Sequence, residues 1–193
     1  MKTDIILAGV GGQGILSIAT ALGGAVLLEN LFLKQAETHG MSQRGGAVVS
    51  HLRISDKPVA SDLIARGGAD LILSVEPMEA LRYLPYLGEK GYLVTNTTPF
   101  INIPDYPKPE KIMEQIRKLP RFIALDADQI AREVGNVRTS NIVMLGAASP
   151  FIHIPFAQIE AGIRSTFGRK GEAVVEMNMK ALNAGRQFAE ANR

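Results

Sequence analysis

At 193 residues the chain is long enough to bury one core and short for two full domains. With 46% hydrophobic and 21% charged residues and a formal net charge of +2, it reads as an ordinary globular protein with no basic surface for a nucleic acid. There is no cysteine, so no disulfide and no thiolate-ligated iron–sulfur cluster can form, and His39, His51 and His153 lack metal-site spacing.

In chain order, Thr3 to Ala8 reads as a strand covered on both faces, because Ile5, Ile6, Leu7 and Ala8 form an unbroken apolar run. Gly9-Val10-Gly11-Gly12-Gln13-Gly14 follows. The spacing of Ile15, Ile18, Ala19, Leu22, Val26 and Leu27 then predicts a helix. A strand, a glycine turn and a helix open a βαβ unit. The stretch Ile5 to Leu28 carries no charge and is long enough to span a bilayer, but its glycines and Gln13, Ser17 and Thr20 argue against a span. Asp4 stands where a signal peptide needs positive charge, so a cytoplasmic location without a membrane partner is expected.

Leu31 to Ala36 is a candidate second strand, and Glu37 to Gly46 is a polar loop. Ala47 to Ser55 alternates, with Val48, Ser50, Leu52 and Ile54 opposite Val49, His51 and Arg53. It is expected to be a half-exposed strand and a candidate antiparallel insertion. Asp70 to Val75 is a strand, Pro77 opens a helix reaching Gly88 to Gly91, and Tyr92 to Thr95 is a strand. Four prolines between Thr97 and Pro109 mark an extended connection and a candidate boundary. Lys111 to Leu119 reads as a helix and Phe122 to Leu125 as a strand, with Asp126 to Asp128 beginning the next helix. Helices over Ser140–Ala148, Phe156–Phe167 and Gly171 to about Ala191 finish the chain. The alternation predicts one Rossmann-like α/β domain over 1–193, three layers α/β/α, with a largely parallel sheet and a helical C-terminus.

Two segments are the candidates for function. Gly9, Gly11 and Gly14 satisfy the G-x-G-x-x-G pattern between a strand and a helix, where free N–H groups and the helix dipole favour an anion; with Gly12 and Gln13 they are the cofactor-binding candidates. The acid expected about twenty positions on is poorly placed. Glu29 falls at the helix end, and Glu37 is better placed but later. The second candidate is Glu37 to Gly46, whose Glu37, His39, Gln43 and Arg44 supply an acid, an imidazole, an amide and a fixed cation. A third feature, Asn141 with Leu145-Gly146-Ala147, is read as structural, its small residues allowing close helix packing. Thr139 or Ser140 is the expected cap. Ser17, Ser42 and Ser50 have no nucleophile elbow. Lys170 precedes a helix start and could meet an anion. The residues alone leave open an NAD(P)-dependent dehydrogenase using Gly9–Gly14, a non-catalytic scaffold, and glycines that serve packing only.

Taken together, G-x-G-G-Q-G (Gly9–Gly14), E-x-H-G-M-x-Q-R-G-G (Glu37–Gly46) and S-H-x-R (Ser50-His51-Leu52-Arg53) resemble the gamma-type domain of 2-oxoacid:ferredoxin oxidoreductases over nearly the whole chain. The form of the central motif is most similar to the indolepyruvate branch. The resemblance implies a complex that oxidatively decarboxylates a 2-oxo acid, here an aryl pyruvate, to an acyl-coenzyme A with ferredoxin as acceptor. It implies thiamine diphosphate and iron–sulfur clusters carried by a larger alpha subunit, no cofactor held by this chain alone, and a glycine loop that shapes a subunit-facing or coenzyme A-facing surface.

Overall fold

The apolar run at the start of the chain becomes the middle of the sheet, β1 (Lys2–Val10). Ile5 and Leu7 point into one helical layer and Ile6 and Ala8 into the other, which is why the run has no polar alternation. The protein was obtained as a computed structural model that describes residues 1–38 and 44–193. The other strands are β2 (Phe32–Glu37), β3 (Ala47–Ser55), β4 (Ala69–Ser74), β5 (Leu87–Asn96) and β6 (Phe122–Leu125). Their order across the sheet is β2-β3-β1-β4-β5-β6. β1, β4, β5 and β6 are mutually parallel, and β3 is antiparallel to both its neighbours.

The helices are α1 (Ile15–Leu28), α2 (Pro77–Arg82), α3 (Pro109–Ile116), α4 (Ala127–Glu133), α5 (Ser140–Ala148), α6 (Phe156–Phe167) and α7 (Glu172–Asn192). One face of the sheet is covered by α1 and α4 to α7, the other by α2, α3 and the segment around Ile64. Among the described residues no helix is long and apolar enough to cross a membrane. The layers are therefore Rossmann-like, as expected, with the antiparallel insertion in place. The sheet also runs across the proline-rich connection, since β5 and β6 pair directly on either side of it.

The small residues of α5 and α7 serve packing. A Cβ on Gly146 would collide with the carbonyl of Leu182, and one on Gly185 with the carbonyl of Val143, so the two backbones lie in direct contact. α5 lacks the expected side-chain cap: the Thr139 hydroxyl instead donates to the carbonyl of Asn136 at 2.7 Å. Two other expectations are corrected. α2 stops at Arg82, and the Gly88–Gly91 stretch belongs to β5, where its small residues fit a register shift against Ala69.

The second correction concerns β3, which is not half-exposed. Residues 56–68 fold over its outer side and are held there by His51 and Arg53. His51 Nδ1 accepts the N–H of Ile64 at 3.1 Å, and its ring meets Tyr86 edge-on. Arg53 pairs bidentately with buried Asp4 on β1, Nε to Oδ1 at 2.9 Å and Nη2 to Oδ2 at 3.2 Å, and Nη1 donates to the carbonyls of Ser61 and Leu63. The S-H-x-R motif is thus a loop clamp.

Among the described residues, Arg53→Ala leaves the Asp4 carboxylate with Lys2 as its one cationic partner. We expect it to lower unfolding free energy by about 3 kcal/mol, near the lower end for breaking a buried pair, measurable by urea titration. Burial lowers the His51 pKa below its ordinary 6.5, with Arg53 adding to the effect and Asp62 opposing it. The unfolded chain then takes up the proton first. His51's contribution is complete above pH 6.5 and is lost as pH falls below it. Between pH 7.5 and 5 the wild type should lose more stability than His51→Gln.

Candidate functional site

The sheet gathers its loops at one edge: the glycine loop after β1, the β2–β3 connection, and the segments after β4, β5 and β6. In the glycine loop, Gly9 still belongs to β1, where a Cβ would collide with Val75 and lie 3.0 Å from both Gln13 Oε1 and Ile15 Cδ1. Gly12 and Gly14 have φ of 102° and 80°, the left-handed region that glycine enters at little cost. Gly11 donates its N–H to the carbonyl of Gly46 at 2.8 Å and accepts that of Gly45 at 3.1 Å. The side chain of Gln13 turns inward: Oε1 accepts from Val10 N at 2.8 Å and Nε2 donates to Val75 O at 3.4 Å. It ties the end of β1 to the end of β4. Asn141, at the start of α5, donates Nδ2 to the carbonyl of Gly14 at 3.1 Å.

Two cavities flank this loop. One, of about 380 Å³, lies between the loop and the β2–β3 hairpin, with Gly12, Ile15 and Leu16 on one wall and Glu37, Arg44 and Ser50 on the other. Glu37 and Arg44 therefore line a cavity together with the glycine loop, while His39 and Gln43 lie outside the described residues. Ser50 is buried, and its hydroxyl has no hydrogen-bond partner among the described residues. Its cross-strand partner on β2 is Glu37, while its chain neighbour His51 serves the opposite face. The second cavity, of about 640 Å³, lies on the α5–α7 side and is lined by Gln13, Ser17, Arg138, Asn141, Lys170 and Asn178. Two cations and the N-termini of α1 and α5 border it, an arrangement that favours a polyanion. Sequence reasoning singled out Lys170 and missed Arg138, whose only signal is its place in the turn before α5.

The geometry departs from a dinucleotide site in one respect. There the second strand pairs with the first and brings its terminal acid to the ribose. Here β3 stands between β1 and β2, so Glu37 is one strand further from β1, and Glu29 is the C-cap of α1. Among the described residues no group of three His, Cys, Asp or Glu side chains could hold a metal ion.

The family model described as "Pyruvate ferredoxin/flavodoxin oxidoreductase" matches residues 4–188. The indolepyruvate oxidoreductase subunit IorB of Archaeoglobus fulgidus is 37% identical over 202 residues, covering 100% of this chain and 98% of that protein. Among solved structures, the gamma subunit of keto/oxoacid ferredoxin oxidoreductase from Geobacter sulfurreducens superposes with a TM-score of 0.73 at 26% identity, covering 98% of this chain and 99% of that one. The 2-oxoglutarate:ferredoxin oxidoreductase of Magnetococcus marinus, solved with 2-oxoglutarate, coenzyme A and succinyl-CoA, has the same fold at a TM-score of 0.77 and 23% identity. This chain is matched over its full length and spans 32% of that longer one.

A Cβ on Gly14 would come within 2.5 Å of Asn141 Nδ2. Gly14→Ala is expected to cost about 1–2 kcal/mol from its left-handed backbone alone, with the clash added. Asn141→Ala in the same chain should remove the clash and leave the backbone cost. Chemical denaturation of the four-member cycle checks this, and an equal Gly14→Ala penalty in both backgrounds would show that Asn141 exerts no pressure on the loop.

Proposed function

The chain belongs to the pyruvate ferredoxin/flavodoxin oxidoreductase family, and from that footing we propose that it is the small, cluster-free subunit of a thiamine-dependent 2-oxoacid:ferredoxin oxidoreductase acting on indolepyruvate or related aryl pyruvates. The observation that carries this reading is the match, 37% identity across 100% of this chain and 98% of the relative, to a subunit of an indolepyruvate oxidoreductase.

The reaction converts the 2-oxo acid to carbon dioxide and an aryl-acetyl-coenzyme A. The bond to the carboxylate breaks, the former keto carbon joins the coenzyme A sulfur, the thiol proton is released, and the electrons pass to ferredoxin. Thiamine diphosphate supplies carbanion stabilisation when bound, and iron–sulfur clusters carry the electrons. A chain without cysteine cannot ligate such a cluster through thiolates, so in this reading the redox groups sit on a larger alpha partner.

What this chain offers is an edge shaped for an anionic substrate. The N-terminus of α1, the open backbone at Gly12, and Arg138 with Lys170 face the two cavities beside the glycine loop. Coenzyme A, with its phosphates, is the polyanion of this reaction, and we assign the Gly9–Gly14 loop to its approach. Glu37 and Arg44 border the same edge and, with His39 and Gln43, are the residues proposed to complete the site. The dehydrogenase alternative loses its support, because β3 displaces the acid a nicotinamide site needs.

The chain alone should show no turnover. Mixed with the larger subunit, an aryl pyruvate, coenzyme A and ferredoxin, it should restore aryl-acetyl-coenzyme A formation, followed by product chromatography and ferredoxin reduction. Calorimetry with NAD and NADP should show no binding. Micromolar affinity for either, or an inactive fully loaded mixture, would overturn the assignment.

A further inference from the structure

The carboxylate of Glu76 is fully buried at the end of β4, and no cation pairs with it among the described residues. An isolated buried charge is costly unless hydrogen bonds replace its hydration. Here three donors do so. The N–H of Glu79 reaches Oε2 at 2.8 Å, the N–H of Phe100 reaches Oε1 at 3.3 Å, and the Tyr106 hydroxyl donates to the same Oε1. Only the first of these is a local helix cap. The other two close the Phe100–Tyr106 loop, from the proline-rich connection, onto one oxygen atom.

That closed loop reaches the turn before β3 through the side chain of Asn102. Asn102 Nδ2 donates to the carbonyl of Gly45 at 2.9 Å. Gly45 in turn donates its N–H to Gly11, which binds Gly46. The path from Glu76 to Gly11 thus runs by hydrogen bonds from Glu76 to Phe100 and Tyr106, through the short chain segment that carries Asn102, and again by hydrogen bonds from Asn102 to Gly45 and Gly11, joining three segments far apart in sequence. The first member is buried in the framework and the last lies at the candidate site. Glycine-rich backbone has the most conformational freedom to lose, so an external tie matters most there.

We propose that Glu76 is a positioning residue for the glycine loop, acting through the Phe100–Tyr106 loop and Asn102 to fix Gly45 and Gly11. This is independent of the subunit assignment except in its kinetic arm, which rests on the loop facing coenzyme A.

The test uses Glu76→Gln, Tyr106→Phe and Asn102→Ala in the full chain and in the assembled complex. Tyr106→Phe leaves the carboxylate and the α2 cap in place, so it carries the test if Glu76→Gln fails to fold. In the full chain, amide hydrogen exchange at Gly11 and Gly45 should speed up about tenfold, while core amides of β1 and β4 keep their protection. In the complex, KM for coenzyme A should rise about three- to tenfold with kcat little changed. Tyr106→Phe added to Asn102→Ala should do no further harm to either readout, because the two act in series. Unchanged exchange at Gly11 and Gly45 in both Tyr106→Phe and Asn102→Ala would overturn the proposal. Faster exchange with an unchanged KM would uphold the positioning role and count against coenzyme A at this loop.

Discussion

The antiparallel pairing of β1 with β3 is the constraint from which most of this structure follows. Its register is unbroken from Lys2 opposite Ser55 to Val10 opposite Ala47. Because the two strands stay in step to the end of β1, the turn before β3 arrives beside the glycine loop, and Gly11 can exchange hydrogen bonds with Gly45 and Gly46. The same pairing sets Asp4 opposite Arg53, so the buried ion pair forms across neighbouring strands and needs no long reach. It also moves β2 to the sheet edge and takes the place where a dinucleotide fold keeps its second strand. One insertion therefore both builds the candidate site and sets Glu37 one strand further from β1 than the acid of a dinucleotide fold.

How far the sequence could be read depended on the range of the interactions involved. β1, β4 and β6 were legible because a strand buried on both faces must be apolar at successive positions, a local signal. α5, α6 and α7 were legible from apolar spacing and small residues. The outer face of β3 was misread as solvent-facing since Val49, His51 and Arg53 look like a polar alternation. Their partners, Ile64, Ser61 and Asp4, lie in other segments, and nothing local announces a loop folding back. Likewise Gly88 and Gly91 suggested a helix end, yet they fit a register shift whose cause is the backbone of Ala69 on the next strand. Within the candidate site, the motif singled out Glu37 and Arg44, which line one cavity with the glycine loop, whereas Arg138 and the links through Glu76 and Asn102 are tertiary and left no local trace.

Several motif residues that resemble chemistry turn out to serve geometry. Gln13 spends its side chain on Val10 and Val75, His51 on Ile64, and Arg53 on Asp4 and two carbonyls. Gly9 is required by close packing against Val75, while Gly12 and Gly14 are required by backbone angle. A motif in this chain is thus a record of how the edge is assembled, and among the described residues the polar groups lining the two cavities include Glu37, Arg44, Ser50, Arg138 and Lys170.

That division has an energetic consequence. A loop edge ordered only on ligand binding would spend part of the binding energy on its own conformational entropy. Here the edge is ordered in advance by ties from several directions: Gln13 from the β1 end to β4, Asn141 from α5 to Gly14, and Asn102 from the proline-rich segment to Gly45. The loop after β5 is similarly held to α4, through Asn96 accepting from Ala127 and Thr98 donating to Asp126. The glycine loop is therefore held in place before anything binds, so less conformational entropy is left for a ligand to remove.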